Sequence, residues 1–282
     1  MGLITLSLKL AFREPGCPVC RLRQESTDRY LFGLLYEYVN DGSTRFHFVR
    51  GIGFCHQHAW ALQAMERRHW QKGMKEGILY EDLAARVLDS LSQYLARNPA
   101  SAKREERRLC QWLKRLGSLG RWLAQRRGCV EPAESLLERI SPAAGCRVCA
   151  IADRSEAIHL QWLMRHMLDP EFRSWYAASD GLCLPHFRRA LAHAEDEESA
   201  RYLAEFTAVK LGLLWTNLQE HVRKGAWHNR HEPKLPQEEM SWVRAVAFFA
   251  GEAREESEED DRLRRKALHD YRMLRDIPSG AR

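Results

Sequence analysis

Two quartets of metal-binding residue types recur in this chain: Cys17, Cys20, Cys55 and His58, then Cys146, Cys149, Cys183 and His186. Each reads Cys-x-x-Cys, a gap of 34 or 33 residues, then Cys-x-x-His. Three thiolates and one imidazole suit a tetrahedral zinc ion, and closed four-ligand sites of this kind are usually structural. A Cys-x-x-Cys turn lets two sulfurs converge on one ion, with Gly16 or Gly145 before it easing the backbone through the bend. Residues three apart at a helix start share one face, so Cys55 with His58, and Cys183 with His186, can point together. Two Zn2+ ions are the expected cofactors. The alternative is a redox role for the same quartets, as iron-sulfur clusters or as reactive dithiols. Cys17-Pro18-Val19-Cys20 encourages the dithiol version, but Arg147 replaces the proline in the second copy, and a redox pair has no need of a distant Cys-x-x-His.

The two quartets are one unit written twice. The offset is 129 residues at the first pair (146 minus 17) and 128 at the second (183 minus 55), so one residue was lost inside the gap. Gly53-Phe54-Cys55 is matched by Gly181-Leu182-Cys183, and the stripe Leu31, Leu34, Leu35, Tyr38, Val39 is answered by Leu160, Leu163, Met164, Met167, Leu168. Those apolar positions are read as core. Two closures are open. A helix from Cys20 to Val39 travels about 28 Å, and an all-helical return to Phe54 covers only about 22 Å, so closure within one copy needs an extended stretch. The other closure pairs each Cys-x-x-Cys with the other copy's Cys-x-x-His across a pseudo-twofold axis.

The quartets and their flanks resemble a bacterial and archaeal family of uncharacterised proteins. The motifs that carry the resemblance are Cys17 to Cys20, Leu34-Leu35-Tyr36-Glu37, Gly53 to Trp60, Cys146 to Cys149 and Gly181 to His186, over about Leu6 to Arg223. The resemblance implies ligand positions and no activity. Arg147 stands where many members have proline, which leaves the sulfurs intact.

The elements that must position the quartets are helices. Each copy predicts a short lead-in, a Cys-x-x-Cys turn opening a helix, a return, a Cys-x-x-His helix start and a long helix, near Gly73 to Arg97 and Glu197 to Arg223. Ile4, Leu6, Leu8, Leu10 and Phe12 alternate as in a strand, but the counterpart Glu134 to Ile140 does not, which favours a short helix at both places. The expected fold is all-α, with two tandem zinc-stapled helical repeats forming a bundle and a C-terminal helical extension. Its expected divisions are a first repeat over 1–100, a basic amphipathic linker helix over 101–130, a second repeat over 131–226 and the extension over 227–282.

With 282 residues, 45% hydrophobic and 29% charged, the chain has the composition of a globular protein and no apolar run near the roughly 20 residues of a membrane span. The first twelve residues lack a basic start and a cleavage site, so no signal peptide is expected. Eight cysteines in such a chain read as thiols or metal ligands of a cytoplasmic protein. Cys110 and Cys129 have no evident partners, and His56 is expected at the surface. The Glu-x-x-His pairs Glu66–His69 and Glu156–His159 fall at non-equivalent places in the duplication and read as accidental.

Charge is uneven. Ser101 to Gly128 carries nine Lys or Arg against two Glu, a net of +7, while the whole chain is +6. Arg107, Arg108, Lys114, Arg115, Arg121, Arg126 and Arg127 surround an apolar stripe there, so residues 103–127 are a candidate nucleic-acid contact beside the plainer reading of a solvated helix face. No nucleophile elbow, phosphate loop or dinucleotide fingerprint occurs. The function expected is a non-enzymatic zinc-binding scaffold that meets an unidentified protein partner.

Overall fold

The structure, a computed structural model, describes residues 2–97, 112 and 133–252. The candidate basic contact, with Arg107, Arg108, Lys114, Arg115, Arg121, Arg126 and Arg127, lies outside the described residues, as do Cys110 and Cys129. Among the described residues the fold is all-α, with no strand. The helices are α1 (Leu3–Ala11), α2 (Pro18–Gly33), α3 (Gly42–Arg50), α4 (His56–His69), α5 (Met74–Arg97), α6 (Ala133–Ile140), α7 (Arg147–Arg165), α8 (Pro170–Ala177), α9 (Leu184–Leu191), α10 (Glu197–Gly225), α11 (Pro236–Glu239) and α12 (Ser241–Ala250). A π-helical turn covers Leu34–Tyr38 and a 3-10 turn covers Trp227–Asn229.

The chain forms two compact units, Met1–Asp28 with Ile151–Arg282, and Arg29–Ala150. These units interleave with the sequence copies, because each takes the Cys-x-x-Cys of one copy and the Cys-x-x-His of the other.

In the first unit the core gathers Leu8, Phe12, Val19 and Leu22 with Leu160, Leu163, Met167, Phe172, Tyr176 and Leu203. The lead-in is helical. Leu8, Ala11 and Phe12 are buried at helical spacing, whereas Leu6 and Leu10, which an alternating strand would bury, are 44% and 51% exposed. Phe12 meets Phe172 and Tyr176 edge-on, with centroids 5.5 and 5.6 Å away. Helix starts are capped by acids: Asp169 accepts from Glu171 N at 2.9 Å to open α8, and Asp196 accepts from Ser199 N at 2.6 Å to open α10.

In the second unit Leu31, Leu34, Leu35 and Val39 pack with Phe48, Leu62, Met65, Leu79, Leu83 and Val148. Tyr38, read as a stripe residue, is instead 51% exposed. The π turn at Leu34–Tyr38 explains the shift, because each turn there takes about one extra residue and the register of the stripe slips. Asp41 then caps α3 by accepting from Thr44 N at 2.7 Å.

Candidate metal centres

Both Cys-x-x-His segments are built alike. Cys55 and Cys183 are the N-cap residues of α4 and α9, with backbone angles (−61°, 163°) and (−67°, 160°), and His58 and His186 follow in the first turn. Two residues before each cysteine the chain takes a left-handed conformation, at Gly53 (φ 84°) and Gly181 (φ 82°). Only glycine enters that region without strain, and a Cβ on Gly181 would also stand 3.0 Å from the Phe206 ring. The duplicated glycine thus aims a duplicated pair of ligands.

Each Cys-x-x-His meets the Cys-x-x-Cys of the other copy. Cys17, Cys20, Cys183 and His186 form one cluster and Cys55, His58, Cys146 and Cys149 the other, with the ligand atoms of each within 4.8 Å of one another. Of the two closures open in the sequence, this is the cross-copy one. In the first cluster His186 Nδ1 lies 3.4, 3.4 and 3.2 Å from the sulfurs of Cys17, Cys20 and Cys183, and the Cys20 and Cys183 sulfurs are 3.8 Å apart. In the second, His58 Nδ1 lies 3.2, 3.6 and 3.3 Å from Cys55, Cys146 and Cys149, and the Cys55 and Cys149 sulfurs are 3.6 Å apart. Around one tetrahedral ion with ordinary bond lengths, sulfur to sulfur is about 3.8 Å and sulfur to nitrogen about 3.5 Å. The residues therefore fit a single zinc-sized ion at each place.

The surroundings differ. Glu156 on α7, 3% exposed, stands behind the first cluster with Oε2 3.5 Å from His186 Nε2, the nitrogen facing away from the sulfurs. The same carboxylate is held by Arg23 at 3.2 Å and by Arg189. A ligating histidine whose second nitrogen meets a carboxylate is fixed in tautomer and orientation. Burial pushes the Glu156 carboxyl up, but hydrogen bonds from His186 and Arg189 overcome this and hold it at about 2. No carboxylate stands behind His58 among the described residues. The copy-one position matching Glu156 is Thr27, whose hydroxyl donates to its own helix at Arg23 O, 3.1 Å away.

A second feature is particular to the first cluster. Gly251 (φ 88°) and Glu252 follow α12; Glu252 N donates to Cys20 Sγ at 3.5 Å, and its carboxylate accepts from Cys17 N. A Cβ on Gly251 would sit 3.6 Å from the Cys20 sulfur and 3.9 Å from that of Cys183. The end of α12 thus covers the sulfurs.

The protonatable groups share charge within each cluster. Burial and hydrogen bonds to Cys183 and Cys20 hold the Cys17 thiol well above its ordinary range, while hydrogen bonds from Cys17 and Cys183 bring Cys20 far below it. Burial lowers His186, but hydrogen bonds to Cys183, Cys20 and Glu156 carry it to about 11. In the second cluster, burial opposes ionisation of Cys146, but the His58 contact and backbone N–H donors bring it down to about 6; burial and the Cys55 contact push Cys149 up to about 12. One thiolate is stabilised by donors around it, the role a divalent cation takes over when it displaces those protons.

Of the other residues weighed from sequence, His56 is exposed. Neither Glu-x-x-His pair joins a third ligand among the described residues. Glu156 meets His186 rather than His159. The signal that marked it is a charge at an apolar-stripe position, between the buried Ala152 and Leu160.

A family model matches residues 3–228, and its family is described only as one of unknown function. The chain belongs to this family, DUF6062. A curated relative from Caldicellulosiruptor sp. (strain Rt8B.4), named "Uncharacterized 23.9 kDa protein in xynA 3'region", is 22% identical over 240 residues, covering 85% of this chain and 97% of the relative. No solved structure matches. Both clusters lie inside the matched span, whereas the Gly251–Glu252 cover lies beyond it. No helix among the described residues is long and apolar enough to cross a membrane.

Proposed function

We propose that this chain is a non-enzymatic, cytoplasmic helical scaffold in which each Cys3His cluster holds one zinc ion as a folding staple. The observation that carries this reading is the tetrahedral spacing of both clusters, each drawing two ligands from either copy. A bound zinc ion supplies a redox-inert cross-link. The chain supplies the rest: N-cap cysteines and left-handed glycines aim the ligands, burial shields the first cluster more fully than the second, and Glu156 orients His186. Each cluster ties segments far apart in sequence, Cys20 to Cys183 and His58 to Cys146, so it closes long loops whose entropy the unfolded chain retains. In this reading the chain is two tandem zinc-stapled repeats with a C-terminal helical extension, the staples crossing between repeats. The close spacing of the ligand atoms favours one ion over a multi-iron cluster, which would spread its four ligands over separate metal atoms.

The scaffold meets a protein partner. Trp215, Trp227, Trp242 and Phe249 are large exposed apolar side chains of α10, α12 and the turn between them, the residue types that dominate protein interfaces.

Elemental analysis of purified chain tests the metal: about two zinc per chain, with unfolding on chelation, is expected. A colourless, metal-free and fully folded protein ends the proposal. A brown protein absorbing near 400 nm after anaerobic purification replaces zinc with an iron-sulfur cluster. Nucleic-acid contact through residues 103–127 is the rival to a protein partner. Salt-sensitive retention of RNA or DNA, lost when Arg107, Arg108, Lys114 and Arg115 are replaced with Gln, would establish it.

A further inference from the structure

Beside the first cluster lies a half-open cavity of about 630 Å³, between the Gly16 and Gly181 turns on one side and α10 and α12 on the other. Its size falls inside the roughly 300–1,000 Å³ of small-molecule sites. One wall is apolar, made by Leu213 and Leu214 of α10 with Ala247 and Phe248 of α12.

The charges on the cavity divide into two sets. The two acids are engaged with the Cys-x-x-Cys lead-in: Asp180 Oδ2 accepts from Gly16 N at 2.8 Å, and the Glu252 carboxylate accepts from Cys17 N. The two cations are not similarly tied. Arg244 reaches Asp180 only at 3.9 Å, and Lys210, half-buried as a residue, has an aromatic neighbour, the Phe206 ring at 5.3 Å, and no carboxylate partner among the described residues. The amides of Asn217 and Gln237 also border the cavity and offer further donors.

We infer that this cavity binds an amphipathic carboxylate, with its head between Lys210 and Arg244 and its apolar body along Leu213, Leu214, Ala247 and Phe248. Lys210 and Arg244 favour an anionic head on their side of the cavity, away from the two acids held at the Cys-x-x-Cys lead-in, and the apolar wall selects a chain rather than a small polar acid. Cys17 and Cys183 of the first cluster also border the cavity, whereas the cations and the apolar wall come from other residues.

Calorimetric titration of the full chain with hexanoate, octanoate and decanoate tests it. One saturable site per chain is expected, tightening about tenfold for each added pair of buried methylenes. Lys210→Gln and Arg244→Gln should each weaken decanoate about tenfold while leaving neutral decanol unchanged. Metal content and helical circular dichroism on the same samples show that the variants are folded, and they read the zinc proposal separately. Absence of saturable decanoate binding in the millimolar range overturns the inference. So does binding to several equivalent sites, decanol binding as tightly as decanoate, or folded Lys210→Gln and Arg244→Gln variants that retain full decanoate affinity.

Discussion

Replacing Glu156 with Gln is expected to loosen one metal ion and leave the other alone. The carboxylate is nearly the same size as the amide, so the buried position between Ala152 and Leu160 stays filled. What changes is the charge facing His186 Nε2 at 3.5 Å, Arg23 at 3.2 Å and Arg189. Losing a carboxylate behind a ligating histidine typically costs ten- to hundredfold in metal affinity, about 1.4 to 2.7 kcal/mol. Arg189 adds less, because its side chain is 60% exposed and water replaces its partner. Competition with a chromophoric zinc chelator should then resolve two classes of ion in the variant, one of wild-type affinity and one weaker by that factor. His58, with no carboxylate behind it among the described residues, is the internal control. If both ions weaken equally, or neither does, Glu156 is not acting through His186 and the asymmetry between the clusters has no consequence for metal binding.

Three further outcomes are expected. Changing Cys17 and Cys20 to Ser should remove one ion per chain, and adding His186→Ala should remove no more, whereas adding His58→Ala should remove the second; elemental analysis reads the pairing directly. Replacing Gly251 with Val, which strains a left-handed position 3.6 Å from the Cys20 sulfur, should dislodge the cover and speed iodoacetamide labelling of Cys20 while sparing Cys55, as peptide mass spectrometry would show; equal labelling before and after would refute the cover. Burial and the nearby Glu66 raise the Glu76 carboxyl to about 7, so its contribution to stability is fully present below about pH 4.5 and is lost as pH rises through 7. Glu76→Gln should therefore gain on the wild type by about 1–2 kcal/mol between pH 4.5 and 8, discounted for partial exposure, and urea midpoints at both pH values would expose an error of sign.

The eight Cys and His residues that cluster, the duplication and the helical class were all legible in the residues because each is a local pattern. Spacings of three mark ligand pairs at helix starts, and a stripe at 3.6-residue spacing marks a buried face. The short lead-in helix followed from comparing the two copies, since alternation in Met1–Phe12 had no echo at Glu134–Ile140. Even Tyr38 followed the stripe until a π turn, which no spacing announces, rotated it outward.

Which Cys-x-x-His closes on which Cys-x-x-Cys was decided only in three dimensions. Both closures satisfy the same ligand chemistry, and the choice rests on how segments more than 80 residues apart pack, as Cys149 with Cys55 and Cys20 with Cys183 do. The same holds for the residues around the first cluster. Glu156 became the partner of His186 because α7 and α9 bring them together, and Glu252 reaches Cys20 across an interval of 232 residues. Residue type and spacing determine what a side chain can bind, and long-range packing determines what it meets.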